Sequence, residues 1–147
     1  MSRRLSMIKK IDYIRHQLHQ VQRAATQDAQ QQYEDAGKMY AKQQTEVKKQ
    51  EDGYELSVAH EFNVFVLEAC FLSRLSAESK LQVAEQQCGV KLNQYRGALS
   101  CLQESNKAQK QTERLLSTEV KKELEKQNKA EQMLEETYIM RNSNRNK

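Results

Sequence analysis

Proline is missing from this chain, tryptophan is missing too, and glycine occurs only four times in 147 residues. Without proline nothing in the covalent chain forces a helix to stop, and with so few glycines tight turns have few places to form. Apolar material is also thin. Hydrophobic residues make up 37% of the sequence and the mean hydropathy is -0.94, which is too little for a compact globular core and favours an elongated shape. No long hydrophobic run exists. The stretches Val64 to Leu67 and Ala69 to Leu72 are split by Glu68, and neither approaches the roughly 20 residues of a membrane-spanning helix. The opening MSRRLSMIKK has basic residues but no continuous apolar segment of the kind a secretory signal carries. Three widely spaced cysteines, Cys70, Cys88 and Cys101, form no CxxC pair, so reduced thiols serving as small hydrophobes are expected, in a cytoplasmic setting and without a metal.

The chemistry of catalysis is absent as well. The sequence contains no GxSxG, no phosphate-binding loop and no HExxH, so the reading is of a protein that is not an enzyme and needs no cofactor. His16 and His19, with Asp12 one turn earlier, could share a metal on one helix face, but a strip on a single helix lacks a ligand from a second element. Solvated polar side chains are the simpler reading. Nucleic-acid binding is not expected either. Arg3, Arg4, Lys9, Lys10 and Arg15 open the chain and Lys121, Lys122, Lys126 and Lys129 lie near its other end, yet no basic face carries interleaved aromatics for base stacking. The net charge of +4 hints at an acidic partner.

What is present is an abundance of Gln, Lys, Glu, Ala and Leu, residues that lose little side-chain freedom in a helix. The fold class is therefore all-α, and the periodicity specifies a long antiparallel two-helix coiled-coil hairpin with a longer C-terminal helix. Met7, Ile11, Ile14, Leu18, Val21 and Ala25 follow a 4-3-4-3-4 spacing, the seam of a coiled coil. Steps of four then lead through Ala29 and Tyr33, a stutter, before Ala36, Tyr40, Gln43 and Val47 resume the alternation. Asp52-Gly53 suits a turn. The expected organisation is one hairpin over 1–147, with a helix over about 3–50, a turn over about 51–56, a helix over about 57–142 begun by Ser57, and a frayed tail at 143–147. A hairpin closed there pairs Val47 with Phe62, Tyr40 with Ala69, Val21 with Cys88 and Ile14 with Tyr95. The second helix then overhangs the first from residue 103 onward.

The block HEFNVFVLEACFLSRL, residues 60–75, is apolar on nearly every side. Phe62, Phe65, Ala69 and Leu72 are expected to face the first helix, leaving Val64, Leu67, Phe71 and Leu75 on the other side. Three covers for that second stripe stay open. The chain could fold back at QESNKAQKQTER into a three-helix bundle, the stripe could dock another protein, or it could join two copies of the chain.

Taken together, the basic opening MSRRLSMIKKI, the helix broken by a short loop, the aromatic-led start HEFNVFVLEACFLSRL and the charged final helix resemble the central stalk proteins of type III export machines, the FliJ and YscO family. That resemblance implies a non-enzymatic stalk, inserted in the pore of a hexameric export ATPase and engaging secretion chaperones and the export gate protein. It places such a protein in the cytoplasm, peripheral to a bacterial inner-membrane export machine, as a monomer or with weak self-association. On it, Val64, Leu67, Phe71 and Leu75 are the partner-binding patch near the bend, and Arg3, Arg4, Lys9, Lys10, Lys121 and Lys122 face acidic pore walls. The competing reading is a structural or holdase-like coiled-coil scaffold with no ATPase partner.

Overall fold

The computed structural model describes residues 2–60 and 63–145. It is an all-α two-helix hairpin in which α1 spans Arg3–His60 and α2, the longer helix, spans Val64–Arg145. Local chemistry accounts for both starts. The Ser2 hydroxyl accepts the Leu5 amide at 3.1 Å, an N-cap for α1. Asn63 does the same for α2, its side-chain carbonyl accepting the Phe65 amide at 3.0 Å while its backbone carbonyl takes the Leu67 amide. His60 closes α1, where an imidazole suits the negative end of the helix dipole.

The bend is therefore about ten residues later than the Asp52-Gly53 pair suggests. Residues 51–56 lie inside α1, with no glycine in the left-handed region, and Ser57 is not a cap but a helix-interior residue whose hydroxyl lies 3.4 Å from Cys70 Sγ. The turn chemistry of Asp-Gly lost to continuity of the seam, because Tyr54 and Ser57 still find partners on α2. The expected Val47–Phe62 pairing involves a residue outside those described.

Contacts divide the chain into two units, one made of Gln22–Leu102 and the other of Met1–Val21 with Gln103–Lys147. In the first, α1 residues 22, 26, 29, 33, 36, 40, 43, 47, 50, 54 and 57 are buried or half-buried, and so are α2 residues 67, 70, 74, 77, 81, 84, 88, 91, 95, 98 and 102. Both sets alternate steps of three and four without interruption, the antiparallel heptad pattern. Val47 stands level with Ala77, Tyr40 with Ala84 and Thr26 with Ala98, pairs whose numbers share the total 124. Direct contacts support that register. Thr26 Oγ1 donates to the Ala98 carbonyl at 3.3 Å, Lys91 Nζ donates to Gln32 Oε1 at 2.8 Å, and the rings of Tyr33 and Tyr95 stack with centroids 6.1 Å apart.

The pairings expected from a bend at 51–56 are accordingly replaced. Tyr95 meets Tyr33 rather than Ile14, and Ala84, not Ala69, is level with Tyr40. Small residues at the seam (Ala77 and Ala84, each 5% exposed) bring the helices close, with Val47 at 9%. The side chains that remain are too polar to exclude water fully, and Gln43 Oε1 is buried with no hydrogen-bond partner among the described residues.

The other unit continues the same alternation through Leu5, Ile8, Asp12, Arg15 and His19 on α1, against Ser105, Gln109, Thr112, Leu116 and Glu119 on α2. No stutter occurs. The interior here is mixed, apolar at Leu5, Ile8 and Leu116 and polar at Asp12, Arg15, His19, Gln109 and Thr112, and the apolar stripe Met7, Ile11, Ile14, Leu18 and Val21 lies outside it, 43% to 67% exposed. Residues 103–119 are consequently paired rather than overhanging, and the helix runs unbroken through QESNKAQKQTER instead of folding back. Only from Leu124 to Arg145 is every residue of α2 exposed.

Candidate interaction surfaces

Close to the bend, the heptad seam decides which residues of the 60–75 block are left outside. Leu67 and Cys70 are half-buried, and Phe71, at the seam's edge, leans its ring against Tyr54 with centroids 6.1 Å apart. The Arg74 guanidinium sits 5.5 Å above the Tyr54 ring and also reaches Glu78 Oε1 at 3.3 Å, so an arginine caps the aromatic pair through a cation–π contact. Phe65, by contrast, is 82% exposed and Leu72 is 56% exposed. The stripe expected to face α1 is therefore outside, with Phe65, Ala69 and Leu72 exposed, while Val64, Phe71 and Leu75 of the other stripe are exposed too and only Leu67 is half-buried. The reason is the shift in register, which rotates α2 so that Leu67, Cys70 and Arg74 occupy the inner positions.

Exposure near the bend is nonetheless extensive. Leu56 and Val58 on α1 are open, and so are Val64, Phe65, Val66, Phe71, Leu72 and Leu75 on α2. A surface of this kind, built from large apolar side chains on both helices of one unit, exceeds the scattered singles of an ordinary protein surface. Of the expected patch, Val64, Phe71 and Leu75 are available to a partner, and Leu67 contributes mainly from beneath. Leu56 and Val58 belong to the surface too. Leu56 falls in the 51–56 stretch that its Asp-Gly pair marks as a turn, and Val58 lies just ahead of the 60–75 block, so neither stands out in the sequence as part of it.

The basic residues gather in the other unit. Arg4 Nε contacts Glu119 Oε1 at 3.0 Å and Lys122 Nζ approaches the same oxygen at 3.8 Å, so one carboxylate, largely covered, ties the start of α1 to α2. Arg3, Lys9, Lys10 and Lys121 are exposed in the same unit. Register brings Arg4 and Lys122 together in a way that sequence spacing could not reveal, since they are more than a hundred positions apart.

His16 and His19 both reach across to α2, His16 with 42% of its side chain still exposed. The Gln109 amide donates to His16 Nδ1, while His16 Nε2 faces Asp12 Oδ2 at 3.5 Å and Glu113 Oε1 at 3.6 Å. His19 Nδ1 lies 3.3 Å from the Ser105 hydroxyl. Arg15 donates to the Ala108 carbonyl, which also accepts Thr112 Oγ1 at 3.0 Å. Asp12 Oδ1 is buried with no hydrogen-bond partner among the described residues. No group of three or more His, Cys, Asp or Glu side chains among the described residues is placed to hold a metal ion. No described helix is long and apolar enough to cross a membrane.

These features define an all-α two-helix hairpin with coiled-coil packing and exposed apolar surface at more than one place. Comparison with family models, curated proteins and solved structures finds no match for this chain.

Proposed function

We propose that this chain is a non-enzymatic stalk and adaptor of a type III protein export apparatus, inserting its basic end in a hexameric export ATPase and offering the surface near its bend to chaperones or the export gate. The observation that carries the reading is the apolar surface beside the bend, where Val64 is 71% exposed and Phe65 82%. Large side chains held open on two paired helices suit capture of an amphipathic segment. The cluster of Arg3, Arg4, Lys9, Lys10, Lys121 and Lys122 supports the other half, because weak charge contacts with an acidic pore wall permit an asymmetric helix pair to touch some of six subunits at a time and bias their nucleotide states unequally.

Two variants test the halves separately. Val64→Asp with Leu75→Asp keeps the seam residues intact, so helicity persists while binding to the chaperone or gate fragment is lost. Arg3→Glu with Lys10→Glu leaves the Arg4–Glu119 pair in place and lowers stimulation of phosphate release by the export ATPase. Unchanged binding and unchanged stimulation in both variants would reject the stalk reading. The runner-up, a structural or holdase-like scaffold without an ATPase partner, draws on the bare apolar residues after Leu124, and it predicts no stimulation by the wild-type chain.

A further inference from the structure

Two apolar surfaces in the unit formed by Met1–Val21 and Gln103–Lys147 have no cover, one a stripe and the other a segment apolar around the helix. One is the α1 stripe of Met7, Ile11, Ile14, Leu18 and Val21, spaced 4-3-4-3 and exposed along its length, with Leu115 of α2, 51% exposed, bordering it beside Ile11. The other is the last part of α2, where Met133, Leu134, Tyr138, Ile139 and Met140 are between 65% and 72% exposed. Their charges are opposite. Residues 3–21 carry Arg3, Arg4, Lys9, Lys10 and Arg15 against Asp12 alone, whereas residues 130–140 carry Glu131, Glu135 and Glu136 and no basic residue.

A helix cannot fold onto its own neighbour without breaking, and α2 is continuous through Arg145. The acidic apolar segment of one copy is therefore free to reach only the basic apolar stripe of another. We propose that residues 130–140 of α2 dock on the Met7–Val21 stripe of a second copy of this chain, and reciprocally, giving a two-fold dimer with two equivalent three-helix contacts. The symmetry is self-consistent. Because α2 runs antiparallel to α1 in each copy, a two-fold axis sets the C-terminal segment of one copy parallel to α1 of the other, beside the groove that Ile11 and Leu115 border. About twenty apolar side chains, each losing about half of the 60–120 Å² that full burial removes, cover on the order of 1,000 Å². That is the lower bound for a specific interface. Pairing of two α1 stripes with each other is disfavoured, since it would bring the exposed Arg3, Lys9 and Lys10 of one copy toward the same cations of the other.

This inference stands independently of the export reading, and full-length chain is sufficient to test it. Light scattering coupled to gel filtration, from micromolar to submillimolar protein, is expected to give a mass rising from the 17.2 kDa of one chain to twice that value. Ile14→Asp with Leu18→Asp, and separately Leu134→Asp with Ile139→Asp, are each expected to stay monomeric with unchanged helicity, because all four side chains are exposed. Mixing the two variants is expected to restore a weaker dimer, one intact stripe meeting one intact segment. A wild-type chain that stays monomeric overturns the proposal. So does a segment variant that still dimerises, which would indicate stripe-to-stripe pairing, and so does a mixture that remains monomeric.

Discussion

Replacing Gly53 with alanine discriminates sharply between the observed bend and one at Asp52-Gly53. Gly53 lies inside α1, seven residues before its end, and a methyl group built on its Cα meets nothing within 4 Å. Alanine there gains helix propensity and narrows the unfolded ensemble without any steric cost, so Gly53→Ala stabilises the chain by about 0.5–1 kcal/mol. For a chain of this size that corresponds to a thermal midpoint higher by roughly 1–4 °C. Urea unfolding followed by far-ultraviolet circular dichroism reads the effect directly, as a higher midpoint with an unchanged slope. Gly89→Ala, on the exposed side of α2 and equally unobstructed, is the internal control and should shift the same way. If Gly53 instead occupied a left-handed turn, alanine would cost about 1–2 kcal/mol. A lower midpoint for Gly53→Ala beside a raised one for Gly89→Ala would refute the placement of the bend.

Two further outcomes follow from the polar seam and the cap. Asp12 sits at an inner heptad position level with Thr112, which is 3% exposed, and has one buried oxygen without a partner; Asp12→Leu keeps the branched shape, removes that penalty and should stabilise by about 1–2 kcal/mol in the same denaturation assay, net of a weak pair with His16. Destabilisation of that size would mean that the carboxylate is satisfied in solution. Asn63→Ala removes the side-chain acceptor for the Phe65 amide and should cost about 1 kcal/mol, while Asn63→Asp or Asn63→Ser keeps most of the stability. Equal midpoints for all three would show that α2 does not begin there.

Composition made the fold class legible. With no proline and an excess of straight-chain helix formers, two helices with the longer one second could be read directly, and the seam from Ala29 to Val47 was read at the right positions. The first twenty-five residues misled because periodicity ranks stripes by apolarity. Met7, Ile11, Ile14, Leu18 and Val21 form the better heptad, yet the hairpin buries its neighbour, in which Leu5 and Ile8 are covered and Arg15 and His19 bond Ala108 and Ser105 of α2 across the seam. Register went astray for a related reason. Heptad helices match again after every two turns, so a bend near residue 54 and a bend near residue 62 produce almost equally good ladders, and only the bend's own chemistry separates them. That signal was present in Asn63, a strong N-cap residue directly before VFVLEA, but Asp-Gly outweighed it. The surface near the bend was located correctly as a region, and the assignment of its inner and outer faces changed with the register.

The antiparallel register itself is open to a single distance measurement in the unit formed by Gln22–Leu102. With the native cysteines replaced, spin labels at Met39→Cys and Gln87→Cys, whose side chains border one groove, should lie within about 15 Å, given helix axes roughly 8–10 Å apart. Labels at Met39→Cys and Ser73→Cys should be distinctly farther apart, because Ser73 is level with Glu51, an axial offset of about 18 Å. The reverse order, with 39 nearer to 73 than to 87, would contradict the ladder and the end of α1 at His60 that it requires.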